Sequence, residues 1–190
     1  MSNRRPARAR VEPLPEAVET ARGFMKDSVV NAVNVTATLA HNELVSKGVG
    51  RFSRQLLFKG SVSPRQREIV ILRMGWNCQS VYEFGQHTLF GRDAGLSDEE
   101  IYLTTRPIEQ GAWSPADAAI LQLVDDLYCD DCVVDATWDE ASKHFSEADI
   151  IHLIATAGCY RLVSGFLNST GVELDEGVPG WPEPSGDPAQ

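Results

Sequence analysis

Helix start signals recur along this chain and constrain its fold more than any other feature. Ser63-Pro64 and Ser114-Pro115 each place a capping serine before a proline, and Ser97 is followed by Glu100 at capping-box spacing. Apolar residues follow at helical spacing, and no convincing pair of alternating strands is present. The sequence therefore predicts an all-α fold.

The predicted helices cover most of the chain. We expect them over residues 15–26, 28–46, 50–59, 64–75, 78–94, 98 to a point before Pro107, 115–128, a short stretch after Asp135, and 146–169. The last helix is apolar on more than one face, so it needs cover on more than one side. A contact with another subunit would provide that cover.

Length and composition indicate one domain with a tail at each end. The chain has 190 residues, of which 43% are hydrophobic, enough for a sizeable core over residues 14–176. Residues 1–13 are rich in arginine and are expected to form a flexible basic arm. Residues 177–190 are rich in proline and glycine, so we expect a tail pinned by Trp181.

Charge and hydropathy exclude several classes of partner. The net charge of -10 argues against nucleic acid, because binding to phosphates needs a basic surface. No apolar run reaches the roughly 20 residues that a membrane span requires. The Arg4-Arg5 pair lacks a following apolar signal region, so a cytoplasmic location is expected.

The candidate active site lies on two consecutive predicted helices. Ser80, Glu83 and His87 share one stripe of a helix, because they are three and four residues apart. On the preceding helix Glu68 lies among apolar neighbours, and a buried carboxylate needs a partner such as His87. The alternative is an exposed pair of Glu83 and His87 with no role beyond slight helix stabilisation.

Four cysteines raise the question of metal or redox chemistry. Cys129 and Cys132 form a Cys-x-x-Cys pair, but two aspartates separate them and disfavour the thiolate. A zinc site would need two more ligands at recognisable spacing, and Cys78 and Cys159 do not form a second pair. We therefore expect no metal, and free reduced thiols instead.

Several phrases between residues 34 and 172 resemble the carboxymuconolactone decarboxylase family, which is similar in fold to alkylhydroperoxidase D. These phrases lie at residues 39–43, 67–73, 82–87, 94–101 and 158–164, with Asn168. The resemblance implies an all-α helical bundle that assembles as a homo-oligomer, a trimer or a hexamer. The alkylhydroperoxidase branch carries Cys-x-x-Cys-x-x-x-His, and aligning its histidine with His87 places the cysteines at Ser80 and Glu83. The resemblance therefore favours the decarboxylase-like branch over a peroxidase, whose chemistry needs both thiols.

The resemblance implies a decarboxylase that needs no cofactor, because a lactone carbonyl can accept the electrons that CO₂ leaves behind. We hypothesise that His87 is the general acid/base, that Glu83 tunes or orients it, and that Glu68 is its further partner. The substrate would be a small anion such as a carboxylated lactone from aromatic catabolism. Arg73 would bind its carboxylate, unless Arg73 pairs with an internal acid.

Two smaller roles complete the predicted site. Ser80 could donate a hydrogen bond to the lactone oxygen, and Cys78 could line the pocket. The same residues could also serve isomerisation, cyclisation or ring-opening hydrolysis of another small molecule. A hydroperoxide reductase acting through Cys78 and a non-catalytic metabolite-binding oligomer are the remaining alternatives.

Overall fold

The computed structural model of the protein describes residues 5–25 and 32–184, and every regular element in these ranges is helical. The α-helices are α1 (Pro15–Met25), α2 (Val33–Leu39), α3 (Glu43–Phe58), α4 (Pro64–Asn77), α5 (Val81–Asp93), α6 (Asp98–Leu103), α7 (Pro115–Asp130), α8 (Asp135–Ala141) and α9 (Glu147–Thr170), with a 3-10 turn at Ile108–Gln110. The all-α prediction is confirmed for the described part of the chain.

Helix α4 lies at the centre of the fold. It packs against α5, α7 and α9, and its residues from Arg67 to Gly75 are all buried. Its apolar side chains share one hydrophobic core with Phe84 of α5, Leu123 of α7 and Leu153 of α9. Because α4 is enclosed by other helices, the charged side chains it carries must find partners inside the protein.

The predicted start signals act as helix caps. Ser63, Ser97, Ser114 and Ser146 are the N-caps of α4, α6, α7 and α9, and each side chain accepts a hydrogen bond from the backbone N–H three residues later. Gly171 ends α9 in the left-handed conformation, with a φ of 74°. These boundaries depend on neighbouring residues alone, which is why the sequence predicts them.

The predicted boundary between the second and third helices is wrong. The sequence places helices over 28–46 and 50–59, whereas α3 runs without a break through the predicted gap. Asn42 sets the start of α3, because its side chain accepts a hydrogen bond from the N–H of Val45 at 3.1 Å. The two glycines inside α3 cost only about 1 kcal/mol each and do not end it. Residues 28–31 lie outside the described residues.

Helix α9 is the longest helix and requires a correction to the sequence analysis. By length and composition it could cross a membrane, with a mean hydropathy of 1.5 over its most apolar stretch, so the expectation that no such run exists is wrong. In the structure α9 packs against α3, α4, α5 and α7, and 44% of that stretch is buried inside the protein. Part of the apolar surface of α9 is therefore buried in the core of the bundle.

The C-terminal strap, residues 175–184, packs against α5. The indole ring of Trp181 lies 5.2 Å from the ring of Trp76 and 5.3 Å from that of Phe84, measured between ring centres. The predicted pinning of the tail by Trp181 is confirmed. Residues 185–190 of the predicted tail lie outside the described residues.

Polar contacts hold the beginning of the strap on α5. The carboxylate of Asp175 accepts hydrogen bonds from the hydroxyl of Tyr82 and, at 3.1 Å, from the side-chain amide of Gln86. Gly85 permits the close approach, because a Cβ atom there would lie 2.1 Å from the carbonyl oxygen of Pro179. The strap thus covers a face of α5 different from the one that carries Glu83 and His87.

The described part of the basic arm, residues 5–13, lies near the carboxyl end of α9. The N–H of Arg10 donates to the carbonyl of Thr170 at 2.7 Å, and the guanidinium of Arg5 donates to the carbonyl of Cys78 at 2.6 Å. The arm therefore contacts the helical bundle at two points. Its flexibility stays a prediction.

Candidate active site

Helices α4 and α5 bring Glu68, Glu83 and His87 into one buried cluster, called the acid–histidine cluster below. Nδ1 of His87 lies 2.6 Å from Oε2 of Glu68, and Nε2 lies 3.1 Å from Oε1 of Glu83. Exposed fractions of the side chains are 0% for Glu68, 5% for Glu83 and 6% for His87. The predicted contact between the acid of α4 and the histidine of α5 is confirmed, and the catalytic role of the cluster stays a prediction.

A tight turn between α4 and α5 makes this meeting possible. Gln79 adopts a left-handed φ of 52°, which is uncommon for a residue other than glycine, and the N–H of Ser80 donates to the carbonyl of Gly75 at 2.8 Å. Helix α5 therefore begins at Val81, not at residue 78 as the sequence predicts. The turn folds α5 back against α4.

Arg67 completes the cluster and was missed by the sequence analysis. Its Nε donates to Oε1 of Glu68 at 3.1 Å, and its Nη1 donates to the carbonyl of Leu57. Both oxygens of Glu68 are thus engaged, one by a guanidinium and one by an imidazole. The signal was available, since Arg67 directly precedes Glu68, but sequence alone does not show that its side chain folds back onto its neighbour.

Two aromatic rings enclose the imidazole of His87. The ring of Tyr160 meets it edge-on, with ring centres 4.8 Å apart, and the ring of Phe90 stacks on it at 5.2 Å. Burial raises the pKa of Tyr160 well above its usual value, and the nearby charges of Glu83 and Glu68 add to this, so its hydroxyl stays protonated. Tyr160 therefore helps to exclude water without adding a charge.

The two carboxylates keep His87 protonated. Burial alone would lower the pKa of His87, but the charge and hydrogen bond of Glu68, followed by those of Glu83, outweigh it and raise the pKa to about 9. Because both ring nitrogens face carboxylates, both act as donors, as in an imidazolium. At neutral pH the cluster therefore holds a proton that can be moved.

Arg73 does not belong to this site, which corrects its predicted role as a substrate-binding cation. Its Nε and Nη2 donate to the two oxygens of Asp125 at 2.7 and 2.6 Å. Its Nη1 donates to the carbonyls of Thr104 and Arg106, both at 2.8 Å. A guanidinium bound in this way has no free edge for a substrate carboxylate, so the alternative of pairing with an internal acid is the one found.

Ser80 is the N-cap residue of α5 and not, as the sequence predicts, a residue within the helix on one stripe with Glu83 and His87. Its side chain makes no capping hydrogen bond, and its Oγ is buried without a hydrogen-bond partner among the described residues. Glu83, three residues later, contacts His87 and does not close a capping box with Ser80. A buried hydroxyl beside the cluster is thus free to bond a ligand.

The thiols near the cluster are protonated. Burial raises the pKa of Cys159 to about 11, with a further contribution from the nearby charge of Glu83. Burial also raises the pKa of Cys78, which is half-buried. Cys129 and Cys132 are exposed. Among the described residues, no three His, Cys, Asp or Glu side chains are placed to hold a metal ion.

Two further residues of the family-like phrases make structural contacts. Nε2 of His41 lies 2.9 Å from the carbonyl oxygen of Glu12. The side-chain amide of Asn168 donates to the carbonyl of Cys78 at 2.9 Å.

An apolar groove lies between α3 and α9 and has a volume of about 390 Å³. It is called the α3–α9 groove below and is lined by Gly48, Val49, Phe52, Ala155, Gly158, Cys159 and Leu162. The sequence does not predict this groove, because its walls come from two helices about a hundred residues apart in the chain.

Three solved structures share this architecture and are distant from this chain in sequence. An uncharacterized peroxidase-related protein from Silicibacter sp. TM1040 superposes with a TM-score of 0.75 at 13% identity, covering 93% of this chain and 96% of that one. An alkylhydroperoxidase AhpD core protein from Ralstonia eutropha JMP134 gives 0.74 at 16% identity, covering 86% and 87%. The debrominase Bmp8, solved with 2,3,4-tribromopyrrole, gives 0.73 at 12% identity, covering 87% and 91%. The fold is thus of the AhpD-like class.

The sequence adds a match to a family within that class. Residues 43–126 match the carboxymuconolactone decarboxylase family. The matched region contains the three members of the acid–histidine cluster. No curated protein matches the chain.

Proposed function

We propose that this protein is a cofactor-independent lyase that decarboxylates a small carboxylated lactone or a related metabolite of aromatic catabolism. One observation carries the proposal: the imidazole of His87 is held between two buried carboxylates, 2.6 and 3.1 Å from its nitrogens. Such an arrangement stores a proton in a site that excludes most water, as general acid catalysis requires. The match of residues 43–126 to the carboxymuconolactone decarboxylase family agrees with it.

The contacts favour Glu83 over His87 as the group that would transfer the proton to the substrate. Both oxygens of Glu68 and both nitrogens of His87 are engaged, whereas Oε2 of Glu83 has no hydrogen-bond partner among the described residues. We infer that Glu83 faces the substrate and that His87 supplies it with a proton. This reverses the roles that the sequence suggested for these two residues.

The proposed step conserves atoms and charge. The C–CO₂⁻ bond of the substrate breaks, CO₂ leaves, and the electron pair is delocalised into the lactone as a dienolate. A proton passes from Nε2 of His87 to Glu83 and from there to the substrate carbon, and solvent then restores the proton on His87. The free hydroxyl of Ser80 would donate to the oxygen that gains charge.

The experiment is to follow CO₂ release and substrate loss when purified protein meets a carboxymuconolactone. We expect Glu83→Gln and His87→Ala to reduce turnover by about 10²- to 10⁴-fold, the usual contribution of a positioned proton donor. His144→Ala is the matched control, because His144 pairs with Glu140 outside the cluster and should leave turnover unchanged. Circular dichroism would establish that each variant is folded.

Other outcomes separate the alternative functions. Absence of CO₂ from folded wild-type protein would reject decarboxylation and direct the assay to isomerisation, cyclisation and hydrolysis. Binding of substrate without any turnover would favour a metabolite-binding protein. A hydroperoxide reductase has less support, because burial raises the pKa of both nearby thiols and so disfavours the reactive thiolate.

The remaining proposals concern assembly and location. Large apolar side chains are exposed on α3 and α9, among them Phe52, Phe58, Ile151 and Leu162. We infer that a second copy of the chain covers part of this surface in a homo-oligomer. The net charge of -10 supports a cytoplasmic protein that binds neither nucleic acid nor membranes.

A further inference from the structure

Glu68 is the most deeply buried charged group of the acid–histidine cluster. The exposed fraction of its side chain is 0%, so its carboxylate depends on partners inside the protein. Nε of Arg67 donates to Oε1 at 3.1 Å, and Nδ1 of His87 lies 2.6 Å from Oε2. A buried carboxylate that loses one of its partners is strongly destabilising. The ionised form of Glu68 therefore depends on these two cations.

The balance of charge in the cluster depends on Arg67. Glu68 and Glu83 carry two negative charges and the imidazolium of His87 carries one positive charge, so these three groups alone hold one negative charge in excess. The guanidinium of Arg67 brings the sum to zero. Without it, a buried site of this kind would relieve the excess charge by taking up a proton.

Tyr160 and Cys159, the residues of α9 beside the cluster, add no charge. Burial raises the pKa of Tyr160 well above its usual value and the pKa of Cys159 to about 11, and the charge of Glu83 contributes to both. The hydroxyl and the thiol are therefore protonated at neutral pH. The charge of the cluster is set by its two acids, its histidine and Arg67.

The end of α3 holds the guanidinium of Arg67 in place. Arg67 and Glu68 are consecutive, and consecutive side chains on a helix do not face each other. Nη1 of Arg67 donates to the carbonyl of Leu57 at 2.5 Å. That carbonyl lies in the last turn of α3, where carbonyls lack partners within the helix and form the negative end of the helix dipole. Because the guanidinium is planar and rigid, this contact also fixes the direction of Nε toward Glu68.

We propose that Arg67 is a positioning residue that keeps Glu68 ionised and directed at His87, so that the stored proton stays on His87. Arg67 acts through Glu68 and touches none of the reacting atoms of the proposed step. Burial opposes the positive charge on His87, and the charge of Glu68 contributes most to overcoming it. A neutral Glu68 would therefore leave His87 less able to supply Glu83 with a proton. The inference rests on the proposed function and adds a residue to it.

Infrared difference spectroscopy in heavy water at neutral pH tests the state of Glu68, because a protonated carboxyl group has a C=O stretching band that a carboxylate lacks. Relative to the wild type, we expect Arg67→Met to gain this band and Arg67→Lys, which keeps the charge, not to gain it. Adding Glu68→Gln to Arg67→Met should remove the band. Arg92→Met is the matched control, since Arg92 binds the exposed Asp98 at 2.7 Å outside the cluster and its loss should add no band.

A second measurement applies if Arg67→Met does not fold. In that variant the carboxylate of Glu68 is buried with one partner fewer, and adding Glu68→Gln removes the uncompensated charge. We therefore expect circular dichroism to show that the double variant is folded. A double variant that stays unfolded would contradict the proposal.

Turnover of a carboxymuconolactone tests the link to catalysis. We expect Arg67→Met to lower kcat by at least about tenfold with a smaller change in KM, and Arg67→Lys to restore much of the loss. An unchanged kcat, absence of the band from folded Arg67→Met, or a band that survives Glu68→Gln would overturn the proposal. The infrared result does not depend on turnover. Failure of CO₂ release by the wild type would therefore reject the proposed function, while the spectra would still decide whether Arg67 keeps Glu68 ionised.

Discussion

At the scale of single residues, His87 is defined by the groups on its two ring nitrogens. A histidine with one carboxylate partner would keep its other nitrogen for a substrate, but here Glu68 and Glu83 occupy both. In the proposed mechanism the proton is therefore stored on His87 and would reach the substrate through Glu83. Arg67 supports this arrangement because it engages the second oxygen of Glu68.

The protonation of His87 should be visible in the stability of the protein. Folding raises the pKa of His87 from 6.5 to about 9, so the folded state holds a proton that the unfolded chain releases between these values. The stabilisation is fully present below about pH 6.5 and is lost as the pH rises through about 9, with a slope of at most about 1.4 kcal/mol per pH unit. Urea unfolding across this range measures the slope.

His87→Gln is the control for this prediction. Glutamine cannot take up the proton, so the slope of the unfolding free energy against pH should flatten by the amount that His87 contributes. Identical slopes in the wild type and the variant would show that His87 does not carry the proton.

At the scale of secondary structure, α5 is held from two sides. One face meets α4 through the acid–histidine cluster, and another meets the C-terminal strap through Tyr82, Gln86 and Trp181. The α5 residues that the strap contacts, Tyr82, Phe84 and Gln86, lie between or beside the cluster residues. It therefore sets the position of the helix that carries Glu83 and His87.

Gly85→Ala tests this contact between the strap and α5. The added Cβ would lie 2.1 Å from the carbonyl oxygen of Pro179, so the strap must move. We expect a loss of about 1–3 kcal/mol in the free energy of unfolding, although alanine favours a helix over glycine by about 1 kcal/mol. A change in tryptophan fluorescence should accompany it, because Trp181 would leave Trp76.

Gly165→Ala provides the comparison on another helix. Its added Cβ meets no atom within 4 Å, so the substitution should be neutral or slightly stabilising. If Gly85→Ala and Gly165→Ala change the free energy of unfolding by the same amount, the strap does not pack closely against α5 at Gly85.

At the scale of the whole molecule, the fold divides the four cysteines into two kinds. Cys129 and Cys132 are exposed, whereas Cys159 is buried and Cys78 is half-buried. The two thiols near the candidate site have raised pKa values, and the exposed pair lies outside it. The tertiary structure thus places the accessible thiols away from the acid–histidine cluster.

Thiol titration checks this division. After reduction and removal of the reductant, the native protein should react rapidly with Ellman's reagent at Cys129 and Cys132 only, and all four cysteines should react after unfolding. A variant with both exposed cysteines replaced by serine should lose the rapid phase. A rapid phase that remained in this variant would indicate a reactive thiol at Cys78 or Cys159 and would revive the peroxidase alternative.

The sequence by itself determined the helical class, most helix starts and the lack of a Cys-x-x-Cys redox pair on α5. These features follow from residues a few positions apart, since caps and helical spacing act locally. Only the tertiary structure decided that Arg73 pairs with Asp125, 52 residues away, that both nitrogens of His87 are occupied, and that α3 and α9 form a groove. The partners of buried charges and the walls of a cavity depend on which helix faces pack together, and that is a property of the whole fold.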